Sequence, residues 1–299
     1  MTESKILTKQ KIYRGKLRTK IFLDSADPSE TAEALELLGF LDGQTTNPTL
    51  MSKNPKALQA IKSGIKLTEE SLMDLYKETV QEIYHLIPDG SVSIEVNANL
   101  FSTADDLYRQ AIAMNTWIPN AHIKFPTFAA GINAAHKFSE VNRGKVNMTL
   151  GFNQEQAAAV YSATLGAKKG DVFYSAFIGR LLDSGIDPIQ NLTNVIDLLE
   201  DGDGHVEVLA CSFRNLDQLL ACLQLKVDIV TVSLKLIKEW SVTGFYIPNS
   251  DDIYDFGKVE KPENITFDLN KPFIEFDIHH ELTVKGIEGF ERDWNSLLG

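Results

Sequence analysis

The chain has 299 residues, 43% of them hydrophobic and 23% charged, which is enough apolar material for a large core and excludes disordered and fibrous classes. A formal net charge of −12 leaves no cation surplus to neutralise a nucleic-acid backbone, so a general DNA or RNA binder is excluded, whereas a local basic pocket for a small phosphorylated ligand is not. Cys211 and Cys222 are too few for a disulfide scaffold, suit a reducing compartment, and stand in no metal-ligand pattern.

Residues 1–20 read as a basic, polar N-terminal extension without the apolar core of a secretory signal, and Glu3 argues against an organelle transit segment. No apolar run reaches the about 18 residues that span a bilayer. The expectation is a soluble cytoplasmic protein with neither membrane nor nucleic-acid partner.

Taken in order, Lys20 to Asp24 is a short apolar run ending at an acid, followed by cap residues and the helical EALELLGF. Phe40 to Thr46 leads into TTNPTLMSKNP, a loop leaving a buried strand, and residues 55–62 and 68–86 have helical spacing with an entry at Thr68. Ser91 to Val96 is a third strand presenting Glu95 near its end, with a helix over 102–114 capped by Ser102 or Thr103. His122 to Phe125 is a fourth strand. It carries Lys124 between Ile123 and Phe125, and Pro126 favours an extended residue before it. Strands at 145–150, 172–176, 206–211 and 229–232 follow, each with a helix behind it. Eight strands with helical crossovers fit a single (β/α)8 TIM barrel better than an open doubly wound sheet. Residues 241–271 lack a clean period and read as a long loop excursion over one end of the barrel. The C-terminal helix, 283–297, has an apolar side suited either to burial within one subunit or to a homodimer or higher homo-oligomer.

A barrel brings the ends of its strands together at one mouth. Asp24, Asn47, Glu95, Lys124, Asn147 with Thr149, Ser175 and Arg214 all fall at or just beyond different strand ends. Singly each has a plain structural explanation: Asp24 as a turn former, Asn47 as an Asx turn before Pro48, Ser175 as a satisfied core hydroxyl, Lys124 as an edge lysine reaching for water. Together they supply an amine, two carboxylates and neutral hydrogen-bonding groups, the set needed to make and break an imine on a polyhydroxylated carbonyl compound. A metal centre is less persuasive, since the adjacent His279 and His280 form no spaced histidine–carboxylate motif.

From Ile21 to Trp294 the sequence resembles the transaldolase family, which includes the small fructose-6-phosphate aldolases. The motifs that carry the likeness are DGQTTNPTL at 42–50, SIEVNA at 93–98, IKFPTFAAGINAA at 123–135, VNMTLGFN at 146–153, YSAFIGRLLD at 174–183, CSFRN at 211–215 and HELTVKGIEGFERDW at 280–294. The resemblance implies a (β/α)8 barrel of the class I aldolase type, no cofactor and no metal, and sugar phosphates as small-molecule partners. It implies transfer of a dihydroxyacetone unit from sedoheptulose 7-phosphate or fructose 6-phosphate to glyceraldehyde 3-phosphate or erythrose 4-phosphate, a step of the pentose phosphate pathway.

Carried over by position, Lys124 resembles the lysine that attacks the ketose carbonyl, and Asp24 the carboxylate that handles the C4 hydroxyl proton. Glu95 and Thr149 resemble the pair that holds a catalytic water. Asn47, Asn147 and Ser175 match groups that grip the dihydroxyacetone hydroxyls, with Thr45 as support and Phe177 as a pocket wall. Arg180, Ser212 and Arg214 match the phosphate site. The small aldolases carry glutamine where Glu95 stands and tyrosine where Phe177 stands, which favours transfer over aldol cleavage. Asn97, Ala176 and Gln44 depart from the family pattern. The other readings are a lyase of the fructose-6-phosphate aldolase kind and a non-catalytic sugar-phosphate binding protein. Because a carboxylate beside an ammonium opposes its deprotonation, Glu95 and Asp24 are expected to act through water or substrate hydroxyls and not by pairing directly with Lys124.

Overall fold

The computed structural model describes residues 17–299, so most of the basic extension expected at 1–20 lies outside the described residues. The first unit is β1 (Lys20–Asp24) and α1 (Pro28–Leu38); β2 (Gly43–Thr45) is followed by three helices, α2 (Pro48–Met51), α3 (Pro55–Lys62) and α4 (Glu69–Leu86). Then come β3 (Ser91–Glu95), α5 (Ala104–Met114), β4 (Ala121–Pro126), α6 (Ala129–Asn142), β5 (Val146–Gly151) and α7 (Gln154–Ala163). β6 (Val172–Phe177) leads to the short α8 (Ile178–Asp183) and to α9 (Pro188–Glu200). β7 (Val206–Cys211), α10 (Leu216–Gln224), β8 (Ile229–Val232), α11 (Leu234–Val242) and α12 (Glu281–Asn295) complete the order. All eight strands pair in parallel in sequence order, and β8 closes on β1, so the chain is a (β/α)8 barrel.

Local chemistry sets these boundaries. Asp27 accepts the Ser29 N–H with Pro28 opening α1, and Gly39 at φ 81° ends it. Reciprocal capping boxes start α4 at Thr68 and Ser71, and α5 at Thr103 and Asp106. Gly131 in the first turn of α6 has no Cβ because one would stand 1.9 Å from the Pro126 carbonyl oxygen. The helix therefore starts hard against the end of β4, the strand that bears Lys124.

The strands bury side chains on both faces. Ile21 and Leu23 point into the layer between barrel and helices, whereas Phe22, Phe173, Leu209 and Ile229 fill the inside. Each such full burial contributes roughly 1.5–3 kcal/mol. Low in the barrel, Phe22 meets Phe173 edge-on at 5.8 Å, and His122 stacks on Phe173 at 4.2 Å. His122 holds Ser91 Oγ at 2.8 Å and the Gly170 carbonyl at 2.9 Å, and burial holds its imidazole down at about 3, so it stays neutral. An aromatic plug thus closes one end of the barrel, and the polar chemistry is confined to the other.

The segment after α11 lies along the helical layer as a strap and not over one end of the barrel. Asn249 and Asp252 accept from Gln224 of α10, Glu260 bridges Gly185 and Asp187 between α8 and α9, and Ile265 and Lys271 bond to Gln154 and Ser162 at the two ends of α7. The strap delivers α12 to the open mouth. There Ile287, Phe290 and Trp294 are buried within the same chain, and the Thr49 hydroxyl donates to Asp293. Cys211 and Cys222 are both free and buried, and among the described residues no helix is long and apolar enough to cross a membrane.

Candidate active site

The strand ends converge on a cavity of about 220 Å3 whose wall includes Asp24, Thr45, Asn47, Lys124, Ser175, Phe177, Arg180, Ser212 and Arg214. Glu95, Asn147 and Thr149 are not in that wall. They lie behind it, each 2% exposed or less. Register explains the grouping: Lys124 pairs with Glu95 on one side and Asn147 on the other, and Pro126, two residues on, pairs with Thr149. Partners in register share a face, so all four side chains point inward. Ser175 Oγ donates to Asn147 Oδ1 at 2.7 Å, and Asn147 Nδ2 donates to Ser93 Oγ at 3.0 Å, linking three strands beneath the cavity.

Lys124 Nζ stands 3.0 Å from Glu95 Oε2, with both side chains about 5% exposed or less. The expectation that no carboxylate pairs directly with the amine is therefore overturned. The physical reason is that β3 and β4 bring both groups to the same level in a dry interior, where each is the other's nearest counter-charge. The two form an ion pair at 3.0 Å, and among the described residues the Thr149 hydroxyl is buried without a hydrogen-bond partner. Burial pushes the Glu95 carboxyl up to about 7, against the opposing pull of Lys124 and, further off, Arg180. A carboxyl so placed exchanges protons readily near neutral pH.

Asp24, on the opposite side of the barrel, accepts from Thr45 Oγ1 at 2.8 Å, and Thr45 also shares a 2.7 Å hydrogen bond with Thr231. Burial raises its carboxyl above the ordinary range, while Lys124, the Thr45 hydrogen bond and Lys53 act the other way. Asn47 has a structural duty as well as a place in the wall, since its Oδ1 accepts the Leu50 N–H and caps α2.

At the rim, Arg180 of α8 lies between the rings of Phe177 and Phe290, 5.2 and 5.4 Å from their centroids. Among the described residues no carboxylate reaches ion-pair distance of its guanidinium, and burial lowers its hold on the proton. Arg214 is anchored by Asp183 at 2.7 Å and by the Ser212 carbonyl and hydroxyl at 3.3 Å. Ser212 itself has φ 65°, a left-handed turn at the end of β7 that aims its carbonyl back at Arg214 and at the Gly179 N–H. The result is a positive corner in an acidic protein, shaped for an anion.

Sequence reasoning missed Ser93, Thr231 and Lys53. The first two are hydroxyls inside apolar strands, indistinguishable there from ordinary β-formers, and Lys53 reads as a surface loop lysine although it lines the cavity. The signal for Ser93 and Lys53 was positional: Ser93 precedes Glu95 by one inward step, and Lys53 follows the short helix that Asn47 caps.

A closed parallel barrel with an enclosed polar mouth at its strand ends is the architecture of a barrel enzyme. The profile of the Transaldolase/Fructose-6-phosphate aldolase family matches residues 21–299, and the chain belongs to that family. It is 32% identical over 220 residues to a probable transaldolase of Dehalococcoides mccartyi, covering 74% of this chain and 89% of that one. A probable transaldolase of Cereibacter sphaeroides is 30% identical over 275 residues, 92% of this chain and 95% of the relative. One from Phocaeicola vulgatus is 35% identical over 220 residues, 73% of this chain and 88% of the relative.

Proposed function

We propose that the protein is a transaldolase working through a Schiff base on Lys124. The observation that carries the reading is the buried Lys124–Glu95 pair at 3.0 Å, opening onto a cavity that ends in Arg180 and Arg214. Glu95 takes the ammonium proton, and the free amine then attacks the C2 carbonyl of a ketose phosphate held at its phosphate by Arg180, Ser212 and Arg214. The protonated Glu95 returns a proton to the carbinolamine hydroxyl, water leaves, and the iminium forms. The Glu95 carboxyl, paired only with Lys124 at 3.0 Å among the described residues, and Thr149, whose hydroxyl has no hydrogen-bond partner among them, suit the handling of that water.

Asp24 accepts the C4 hydroxyl proton as the C3–C4 bond breaks and its electrons enter the iminium to give an enamine. The aldose phosphate departs, and a three-carbon unit stays on Lys124, its hydroxyls within the Asn47, Asn147 and Ser175 group. A second aldehyde phosphate accepts the enamine carbon, Asp24 returns the proton to the new alkoxide, and hydrolysis frees the lysine. Donor and acceptor both end in phosphate, which accounts for one anion corner serving both.

The test is borohydride reduction in the presence of fructose 6-phosphate, followed by mass analysis of the Lys124 peptide. A reduced three-carbon or six-carbon adduct on Lys124 is expected, and an unmodified peptide would defeat the enzyme reading. A coupled assay with and without erythrose 4-phosphate then separates transfer from cleavage. Product release that does not depend on the acceptor would make the protein an aldolase instead.

A further inference from the structure

Tyr76 lies on α4, outside the barrel, in line with Leu72, Val80 and Ile83, and is fully buried. Its spacing predicts packing alone. The hydroxyl nevertheless ends between two strand ends of the site. Glu95 N–H donates to Tyr76 Oη at 2.9 Å, Tyr76 Oη and Thr46 Oγ1 are 2.5 Å apart, and Thr46 Oγ1 donates to the Ser93 carbonyl at 2.8 Å. The Thr46 hydrogen is committed to that carbonyl, so the phenol must be the donor to Thr46. Every hydrogen in the chain then runs one way, from Glu95 N–H through Tyr76 and Thr46 to Ser93.

The β2–β3 ladder shows what this accomplishes. The Thr46 N–H bonds to the Ser93 carbonyl at 3.0 Å, and in a continuing parallel ladder the next bond would run from Glu95 N–H to the Thr46 carbonyl. That bond is replaced. Glu95 N–H goes to Tyr76, and the Thr46 carbonyl faces Lys124 Nζ at 3.4 Å. The phenol is locked in place by Trp117 and Trp294, edge-on at 5.6 and 6.0 Å, and Trp294 Nε1 is tied to Glu69 in the first turn of α4 at 3.1 Å.

We propose that Tyr76 is a positioning residue for the reaction: by taking the Glu95 N–H it ends the β2–β3 ladder one bond early, frees the Thr46 carbonyl for Lys124, and sets amine and carboxylate at pairing distance. This rests on the Schiff-base reading above. Phenylalanine would fill nearly the same space but leave the Glu95 N–H to compete again for the Thr46 carbonyl.

The test compares Tyr76→Phe, Thr46→Val and the double variant with wild type. Sites are counted by borohydride trapping, so that misfolded protein drops out of the rate. For Tyr76→Phe, kcat per trapped site should fall about 10- to 100-fold, the scale of a misplaced reacting group. Inhibition by inorganic phosphate should stay within about twofold, because the anion corner lies on other strands. The double variant should lose no more than the worse single variant, since both break one chain. An unchanged kcat per site, a joint loss of kcat and phosphate affinity, or losses that multiply would each overturn the proposal. If wild type neither traps nor transfers, the reaction reading has failed, and the positioning role is judged on the free protein. The infrared titration of the Glu95 carboxyl should then move from its wild-type midpoint in Tyr76→Phe, and a midpoint that stays put refutes the role.

Discussion

Replacing Glu95 with glutamine tests the central pair through stability, independently of any substrate. The carboxyl has an ordinary value of 4.5 and is pushed up to about 7 by burial. The folded protein therefore holds this proton over a range where the unfolded chain has released it. Stability from the raised group is fully present below about 4.5 and is lost as pH rises through about 7. A shift of that size is worth roughly 3 kcal/mol, at 1.36 kcal/mol per pH unit. Urea denaturation of wild type and Glu95→Gln from pH 4.5 to 8 should show wild type losing roughly 3 kcal/mol relative to the variant. At pH 8 the variant should be the less stable of the two in absolute terms, because the amide leaves the buried Lys124 amine without its counter-charge, so the test reads the pH dependence of the difference and not its value at one pH. In a Lys124→Met background the strongest influence holding the Glu95 value down is gone, so the same difference should extend to higher pH. Parallel stability curves would refute the reasoning, because they would mean that Glu95 is solvated and titrates normally. The same substitution should lower kcat by about 10²- to 10⁴-fold, the usual contribution of a positioned proton-transfer group.

Two further substitutions address the anion corner. Arg180→Met keeps the stacking between Phe177 and Phe290 but removes the charge, and should cut kcat/KM for fructose 6-phosphate by about 10- to 100-fold while leaving the slow reaction of unphosphorylated fructose nearly unchanged. An equal fall with both sugars, measured in the coupled assay, would remove Arg180 from phosphate recognition. Gly179→Ala places a Cβ 2.1 Å from the Ser212 carbonyl oxygen, so α8 must shift away from the end of β7. A loss of about 1–3 kcal/mol in urea denaturation is expected, together with weaker inhibition by inorganic phosphate. Unaltered phosphate inhibition would show that the corner does not depend on this approach.

How much of this was legible beforehand depended on the kind of signal each residue left. β7 at Val206–Cys211 and β8 at Ile229–Val232 have the bounds expected from the sequence, because fully buried strands are short and mostly apolar, with Glu207 and Thr231 as their polar members. β2 is shorter than Phe40 to Thr46 suggests, since only Gly43–Thr45 pairs before the chain turns at Asn47 and Pro48. The extent of Lys124–Glu95 contact was not legible. Strand extents do not fix register, and only the alignment of Glu95 with Lys124 makes the two meet. Weighing an amine against a carboxylate in isolation gave the wrong sign, because it left out the cost of burying each one alone. Tyr76 was hidden for the opposite reason: its helical spacing is satisfied by packing, and nothing in that spacing reports where a hydroxyl ends.

The arrangement also explains why the reactive groups stand at this end of the barrel. Below them Phe22, Phe173 and neutral His122 pack across the interior, and Lys124 lines the cavity at the mouth. Above them α12 contributes Phe290 to the cavity wall and Trp294 to the packing of Tyr76, so one helix touches both the anion corner and the hydrogen-bond chain behind Glu95. Between those two covers the Glu95 carboxyl keeps a value near 7 because it is buried behind the cavity wall. Loosening α12 should therefore return Glu95 toward ordinary carboxylate behaviour before it disturbs the barrel, since the eight-strand ladder closes without that helix.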